Sequence, residues 1–519
     1  MKKNPEVSYI SVTHQNPIIV KPLRLKPRKV GYILLTLALS TGLSVFWIGF
    51  LPILNCTTTF KRSRLEENQE EFGGIIIQSN SVNASSTKTQ HIVIENDDGE
   101  FWKQPDDLGY RPCLECSEGY KRSVVNSNGR GKRFLMVVVS GGLNQQKNQI
   151  ADAVVIARIL DATLVLPVLH VDSVWGDESE FSDIFDDRHF KDTLKHDVHV
   201  LSTLPAGYLR TRPKTILPEP SQIDQEWIRN HLAAPLRRHH VLILRAFDSK
   251  LSKDLNSDLQ KLRCKVAFHA LKFRPWIEEL GEKLAKRMSQ GGPYMALHLR
   301  LEKDVWVRTG CLPGLGDGAN QAINSARSLH PELLKSRTKI TARDRYIAGL
   351  CPLNAVEVTR LLKGLGASNA TKIYWAGGSP FEGEKALEPL RSKFPLLYNK
   401  WALANEGEFD HIRHKSSILA AVDYLVCLKS DVFMANHGGN MARTLQGHRA
   451  FLGHKKYITP NKKQLVNLFM NEEQDERQLD QMIKERHANS LGSPVIRTKG
   501  SGRDVIAFPV PECMCTSTV

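Results

Sequence analysis

The 519-residue sequence lacks most of the short signatures that name a chemistry. It has no Asp-x-Asp, so a carboxylate pair holding a metal–diphosphate is not signalled, and no metal or other cofactor is expected. It has no Gly-x-x-x-x-Gly-Lys-Ser/Thr loop, no His-Glu-x-x-His and no Gly-x-Ser-x-Gly, which removes Walker, zincin and nucleophile-elbow chemistry. No Gly-x-Gly-x-x-Gly opens a helix, so the dinucleotide fingerprint is missing. Aromatic residues are only 7% of the chain and no long basic run interleaves with them, so nucleic acid is not expected as a partner. The formal net charge is nevertheless +16, of which +6 lies in residues 1–29. The remaining excess is spread out and suits an anionic substrate.

There is one uncharged run of bilayer length, Val30–Asn55. Lys21, Arg24, Lys26, Arg28 and Lys29 crowd its N-terminal side, whereas Lys61, Arg62 and Arg64 follow at a distance beside Glu66 and Glu67. The positive-inside rule then predicts a transmembrane signal-anchor with a cytosolic N-terminus. No small-residue cleavage site follows, against a cleaved signal peptide. The expectation is a single-pass type II membrane protein with a lumenal head, in contact with the membrane through that helix. Nine cysteines accompany it. Cys56 sits at the membrane edge, and the other eight suggest disulfides whose pairing the sequence does not give. A zinc reading of Cys113-x-x-Cys116 with Cys513-x-Cys515 stays open, though the second spacing is unusual. Asn83 and Asn369 begin glycosylation sequons.

The predicted organisation is a cytosolic tail over 1–29, the anchor over 30–55, and a polar stem with the start of the head over 56–125. Two Rossmann-like domains follow over 126–290 and 291–470, then a C-terminal tail over 471–519. The first opens on a buried-strand pattern, RFLMVVVS over Arg133–Ser140. Gly141-Gly142-Leu143-Asn144 turns the chain into an apolar helix over Gln146–Leu160, and Thr163–Leu169 reads as the next strand. The second opens on Tyr294–Leu299 and alternates strand and helix as far as Asp431–Ala435. There Asn436-His437-Gly438-Gly439-Asn440 turns into another helix. Two such α/β domains facing a cleft predict a GT-B-type fold with an N-terminal transmembrane helix.

Two clusters carry candidate chemistry. His298-Leu299-Arg300, with Glu302 and Asp304, follows a buried strand, and Arg300 is a permanent cation with a planar fork of donors. Taken alone, this pattern fits a surface ion pair as well as a ligand contact. Asn436–Asn440 offers backbone N–H groups at a helix N-terminus. Together they suit a nucleotide diphosphate held without metal, with Glu302, Asp304 or His298 as candidate proton acceptors. His411-x-x-His414 has a metal-ligand spacing, but it reads as the solvated start of a helix.

Several stretches resemble the plant O-fucosyltransferase family: SGGLNQQKNQIADAVVIARILDATLVLPVL, HLRLEKD with Cys311, KIYWAGG, SSILAAVDYLV and SDVFMANHGGNMARTLQGHRAFLGHKKYITPNKK. They run in order from about Arg133 to Lys463. The resemblance implies a GT-B glycosyltransferase of the Golgi membrane. It would transfer fucose from GDP-fucose, with inversion and without metal, to a protein or cell-wall glycan acceptor. It also implies that the strand end His298-Leu299-Arg300 binds the substrate, with Arg300 on the donor diphosphate, and that Gly141, Gly142 and Asn144 line the cleft. Asn436, His437, Gly438, Gly439 and Asn440 would bind the donor, and Asp423 would lie near the nucleotide. Leu301, Val305 and the segment Trp401–His414 depart from the family pattern. A rhamnosyltransferase using UDP-rhamnose, a mannan-related transferase and a non-catalytic scaffold for polysaccharide synthesis stay open as alternatives.

Overall fold

Phe134–Val139 (FLMVVV) has no polar side chain to offer water, so it runs as the first strand of a parallel sheet, one face fully buried and the other, at Met136 and Val138, partly so. The computed structural model describes residues 98–125, 132–171, 176–334, 340–471 and 475–516, all within the unit His91–Val519. Strands are numbered in chain order. After the short β1 (Tyr110–Pro112), the first domain contains β2 (Phe134–Val139), β3 (Thr163–Val165), β4 (Val168–Leu169), β5 (Val200–Leu201), β6 (Lys214–Ile216) and β7 (Val241–Leu244). Their order is β5-β3-β2-β7-β6, all parallel, with β4 also pairing β2. The single strand expected over Thr163–Leu169 is split in two at Leu166-Pro167, where proline has no N–H to give the ladder.

The second sheet contains β8 (Met295–His298), β9 (Ile373–Ala376), β10 (Leu397–Tyr398), β11 (Val432–Ala435) and β12 (Tyr457–Ile458). Its order is β10-β9-β8-β11-β12, again all parallel. In both sheets the order reverses next to the first strand, between β2 and β7 and between β8 and β11. Ligands of open α/β sheets bind at this switch point, beyond the strands' C-terminal ends. Two doubly wound sheets are what a GT-B-like head requires.

The domains are joined by packed helices. Pro275–Ser289 packs against Ser416–Lys429, so closely that a Cβ on Gly281 would meet Leu425 Cβ at 2.6 Å. Asn440–Phe451 packs against Leu143–Leu160. Asp177 of the first domain accepts a 2.6 Å bond from the Ser417 amide, capping the start of Ser416–Lys429. Burial opposes ionisation of Asp177, but hydrogen bonds from Ser179 and Ser417 outweigh it and hold its pKa below the usual carboxylate value.

The C-terminal segment returns to the head. Glu476–His487 packs on Ala355–Gly364 with Ile483 fully buried, and β13 (Met514–Thr516) pairs antiparallel with β1. Between them, Asp504 joins Lys253 and the buried Arg263, whose guanidinium also contacts Asp152 at 2.9 Å. The Ile506 carbonyl lies so close to Gly447 that a Cβ there would meet it at 1.7 Å. Disulfides link Cys113–Cys515, Cys264–Cys513 and Cys311–Cys351, while Cys116 and Cys427 are free. Those bridges occupy Cys113, Cys513 and Cys515, so they replace the zinc reading.

One expectation is corrected. Val30–Asn55 lies outside the described residues, and no helix among the described residues is long and apolar enough to cross a membrane. The fold is therefore given without a transmembrane helix. The membrane contact through one helix, the type II topology and the Golgi membrane placement all rested on that helix and are withdrawn with it.

Candidate functional site

Because β8, β9 and β11 are parallel, their C-terminal ends deliver three loops to one edge of the second sheet. His298 ends β8 and is buried. Burial and then the neighbouring Arg300 pull its pKa down to about 3, so the imidazole is neutral, and its Nδ1 has no partner. Leu299 faces the core. Arg300 follows in the switch point, its backbone N–H donating to Asn436 Oδ1 at 2.8 Å. Its side chain is 31% exposed. The guanidinium Nε donates to Glu302 Oε2 at 3.3 Å, and one terminal nitrogen stands 4.0 Å from Asp304 Oδ2. The two terminal nitrogens thus carry donors that no hydrogen bond engages among the described residues.

Glu302 has both oxygens engaged, since Oε1 accepts the Gly378 amide at 3.0 Å. It ties the loop after β8 to the loop after β9. Gly377 makes this approach possible: its φ is +146°, and a Cβ would meet the Leu299 carbonyl at 2.5 Å. Asp304 is looser, with Oδ2 3.6 Å from Arg308 Nε.

Asn436 is the fully buried hub between β8 and β11. Its N–H donates to the His298 carbonyl, Nδ2 donates to the Leu353 carbonyl at 2.8 Å, and its own carbonyl accepts from the Leu353 amide. The Cys311–Cys351 bridge anchors the segment holding Leu353. His437 Nδ1 lies 3.3 Å from Lys462 Nζ, which also donates to the Cys351 carbonyl. Burial, then Lys462 and Arg300, lower His437 to about 3; burial lowers Lys462 to about 8. The helix Asn440–Phe451 starts beside them without a side-chain cap. Its first N–H groups are left for an anion. A Cβ on Gly438 or Gly439 would meet nothing within 4 Å, and neither residue has the left-handed backbone that demands glycine.

Asp423 lies beneath this edge, in a buried ion pair. Its Oδ2 accepts Lys400 Nζ at 2.8 Å and the Gly377 amide at 3.3 Å, and its Oδ1 accepts the Tyr374 hydroxyl at 2.6 Å. Lys400 Nζ also donates to the Gly377 carbonyl. Asp423 therefore shapes the glycine turn from below.

In the first domain, Gly141 and Gly142 follow β2 and Asn144 lies in the first turn of Leu143–Leu160. The Gln149 amide brackets Ser140, accepting from its N–H and donating to its carbonyl. Gln145 Nε2 donates to Asp248, beyond β7. Asn144 Oδ1 and Gln146 Oε1 are buried without partners, free to meet a ligand or water. No direct bond joins this turn to Arg300 or Asn436 among the described residues; the link is helix against helix. Asn83 lies outside the described residues, and Asn369 is exposed in the turn before β9. A separate cavity of mixed lining, including Gln446, His454, Thr459, Asn489 and Phe508, lies at the far end of Asn440–Phe451 and contains none of these groups.

Sequence reasoning missed Gln145, Gln149, Tyr374, Lys400 and Lys462. The i, i+4 pair Gln145/Gln149 behind a glycine turn was a usable signal. The other three act through long-range contacts that no local pattern shows. Among the described residues, no group of three or more His, Cys, Asp or Glu is placed to hold a metal ion.

The family model described as GDP-fucose protein O-fucosyltransferase matches residues 134–452, from the start of β2 to just past the helix that opens at Asn440. The chain belongs to the GDP-fucose protein O-fucosyltransferase family. Within that family it is 50% identical to O-fucosyltransferase 20 of Arabidopsis thaliana over 89% of this chain and 82% of the relative. It is 51% identical to O-fucosyltransferase 24 of the same plant over 92% and 83%, and 53% identical to O-fucosyltransferase 20 of Brassica napus over 83% and 78%. Among solved structures, a crystal structure of POFUT1 in complex with GDP matches with 13% identity and a TM-score of 0.38, covering 63% of this chain and 98% of that one. The fucosyltransferase NodZ from Bradyrhizobium matches with 12% identity and a TM-score of 0.33, covering 64% and 96%.

Proposed function

We propose that this family member transfers fucose from GDP-fucose to a hydroxyl of a protein or glycan acceptor, by direct displacement with inversion. The observation that carries the reading is Arg300, held at the switch point of the second sheet beside the uncapped start of Asn440–Phe451. In the reaction the acceptor oxygen bonds to the anomeric carbon, the bond from that carbon to the β-phosphate oxygen breaks, and GDP leaves. Negative charge grows on the phosphate oxygens. The unengaged guanidinium donors and the free helix N–H groups meet that charge without reorganising. The acceptor proton needs a base. His298 is a poor one because burial depresses its basicity. Glu302 spends both oxygens on Arg300 and Gly378 and is assigned to positioning. Asp304 has an oxygen to spare, and a group of the first domain is the other source.

The test is a panel of GDP- and UDP-sugars offered to the purified protein. Turnover or hydrolysis of GDP-fucose is expected, with chelation of divalent ions leaving the rate within twofold. Preference for UDP-rhamnose would overturn the sugar, and failure to bind any nucleotide or nucleotide sugar would overturn the enzyme.

The glycines give a second expected result. Among the described residues nothing lies within 4 Å of a Cβ at Gly439, so Gly439→Ala should leave the unfolding temperature within about 2 °C of the parent. If the donor fills that space, the same methyl group should weaken GDP affinity at least tenfold by titration calorimetry. Unchanged affinity would place the donor elsewhere.

A further inference from the structure

Lys147 lies one turn beyond Asn144 on Leu143–Leu160 and is only 3% exposed. Its ammonium makes no hydrogen bond or ion pair among the described residues. It rests 4.0 Å from the centroid of the Tyr424 ring and 5.0 Å from that of Phe273. Tyr424 follows Asp423 on Ser416–Lys429, and its hydroxyl meets His448 Nδ1 at 2.8 Å on Asn440–Phe451. Glu278 of Pro275–Ser289 is the acid whose field reaches Lys147, and its Oε1 accepts the Phe273 amide at 3.2 Å. The other ionisable groups around the cluster are His448, which burial keeps neutral, His269 beyond it, and the free, buried Cys427 thiol on Tyr424's own helix.

A buried ammonium with no hydrogen-bonded counter-ion destabilises a fold. Methionine would fill the same space with no charge to bury. The cation sits on Tyr424 of one helix that shapes the donor site and reaches the other through the Tyr424 hydroxyl and His448, while belonging to the helix that carries the first domain's turn. We propose that Lys147 is a positioning residue for the transfer reaction: seated on Tyr424, it fixes the Gly141–Asn144 turn against the helices that carry Asp423 and begin at Asn440. This rests on the fucosyl-transfer reading for its kinetic consequence, but not for its structural one.

Charge gives the proposal a signature. Burial lowers the Lys147 ammonium to about 7. Raising the pH through that value neutralises it and removes the cation–ring attraction, so turnover should fall. An unfolded lysine titrates at ~10.4, so between about 7 and ~10.4 the unfolded chain binds more protons and this group's contribution makes stability rise with pH. Activity and stability therefore move in opposite directions.

Lys147→Met and Lys147→Arg test it. Lys147→Met is expected to lower kcat at least tenfold, with KM for GDP-fucose and GDP affinity within threefold. Its unfolding temperature at pH 7 should be equal or higher. Amide exchange over residues 141–146 should quicken at least fivefold, with no change in β8 and β11. Lys147→Arg should retain most activity and move the alkaline fall in kcat to higher pH. Tyr424→Leu, which removes the ring from the other side, should reproduce the kcat loss and serves if Lys147→Met does not fold. The proposal is overturned if kcat of Lys147→Met stays within twofold of the parent, or if GDP affinity and unfolding temperature fall together with kcat. If the parent protein turns over no GDP-fucose, the functional reading fails by itself. The exchange arm still decides, because an unaltered rate over 141–146 removes the positioning role.

Discussion

Arg300→Ala is expected to lower turnover of GDP-fucose by at least ~10²–10³-fold, the range for losing one preorganised donor to a developing oxyanion. The loss should fall on kcat more than on KM, because the leaving diphosphate gains charge in the transition state. Stability should change little. The Arg300 contribution to the hub is its backbone N–H, which alanine keeps, and the side chain is partly exposed with only a 3.3 Å contact to Glu302. Arg300→Lys should recover only part of the activity. A lysine restores a point charge but neither the planar fork nor the Nε contact that orients it. Steady-state kinetics with thermal unfolding on the same preparations separates the two effects. An Arg300→Ala protein within tenfold of the parent would leave the donor diphosphate without its main cation and would sink the mechanism.

Asp423→Ala is expected to cost ~3–5 kcal/mol of stability, as for other buried pairs broken from one side. Asp423 and Lys400 are each 7% exposed as side chains, so neither charge has water to fall back on. Removing the carboxylate leaves the buried Lys400 ammonium, among the described residues, with the Gly377 carbonyl as its one hydrogen-bond acceptor and takes the acceptor from the Tyr374 hydroxyl. The double variant Asp423→Asn with Lys400→Met should recover much of the loss, because both charges then leave together. Urea unfolding at pH 7 measures this. A single-variant cost below about 1 kcal/mol would mean the pair is not what holds the Gly377 turn in place.

The features legible in the sequence were those written by adjacent residues. A run such as FLMVVV followed by two glycines and an apolar helical pattern has few alternatives, and β2 with its helix lies where that pattern put it. The same holds for β8 before Arg300 and for β11 before Asn436. Some helices went unread: Lys303–Thr309 opens on two charged residues just after the strand end, and Asp317–Leu329 follows a glycine-rich stretch that reads as loop. So did every relation between distant residues: Glu302 with the Gly378 amide, Asp423 with Lys400, Lys147 with Tyr424, and the partners of the six bridged cysteines. Glu302 is instructive. Sequence spacing offers it as a base equal to Asp304, and only the loop after β9 shows that its oxygens are already engaged. The apolar run at Val30–Asn55 misled in another way, because composition and flanking charge described an isolated helix that the described fold does not include.

Cys113 is joined to Cys515 across 402 residues, and Cys264 to Cys513 across 249. A ribosome makes the first domain hundreds of residues before it makes their partners. Until residues 513 and 515 emerge, the nascent head carries thiols with nothing to close on, and β1 has no strand beside it. The buried Arg263 of Ser257–Lys265 meanwhile has Asp152 beside it but not yet Asp504, its second carboxylate. The native contacts of greatest sequence separation come last, which favours slow maturation and exposure to mispairing with Cys116. For anyone expressing this protein, ending a fragment at the boundary of the family match is a poor choice, because the last strand pairs with β1 and the segment just before it is bridged to Cys264 of the first domain.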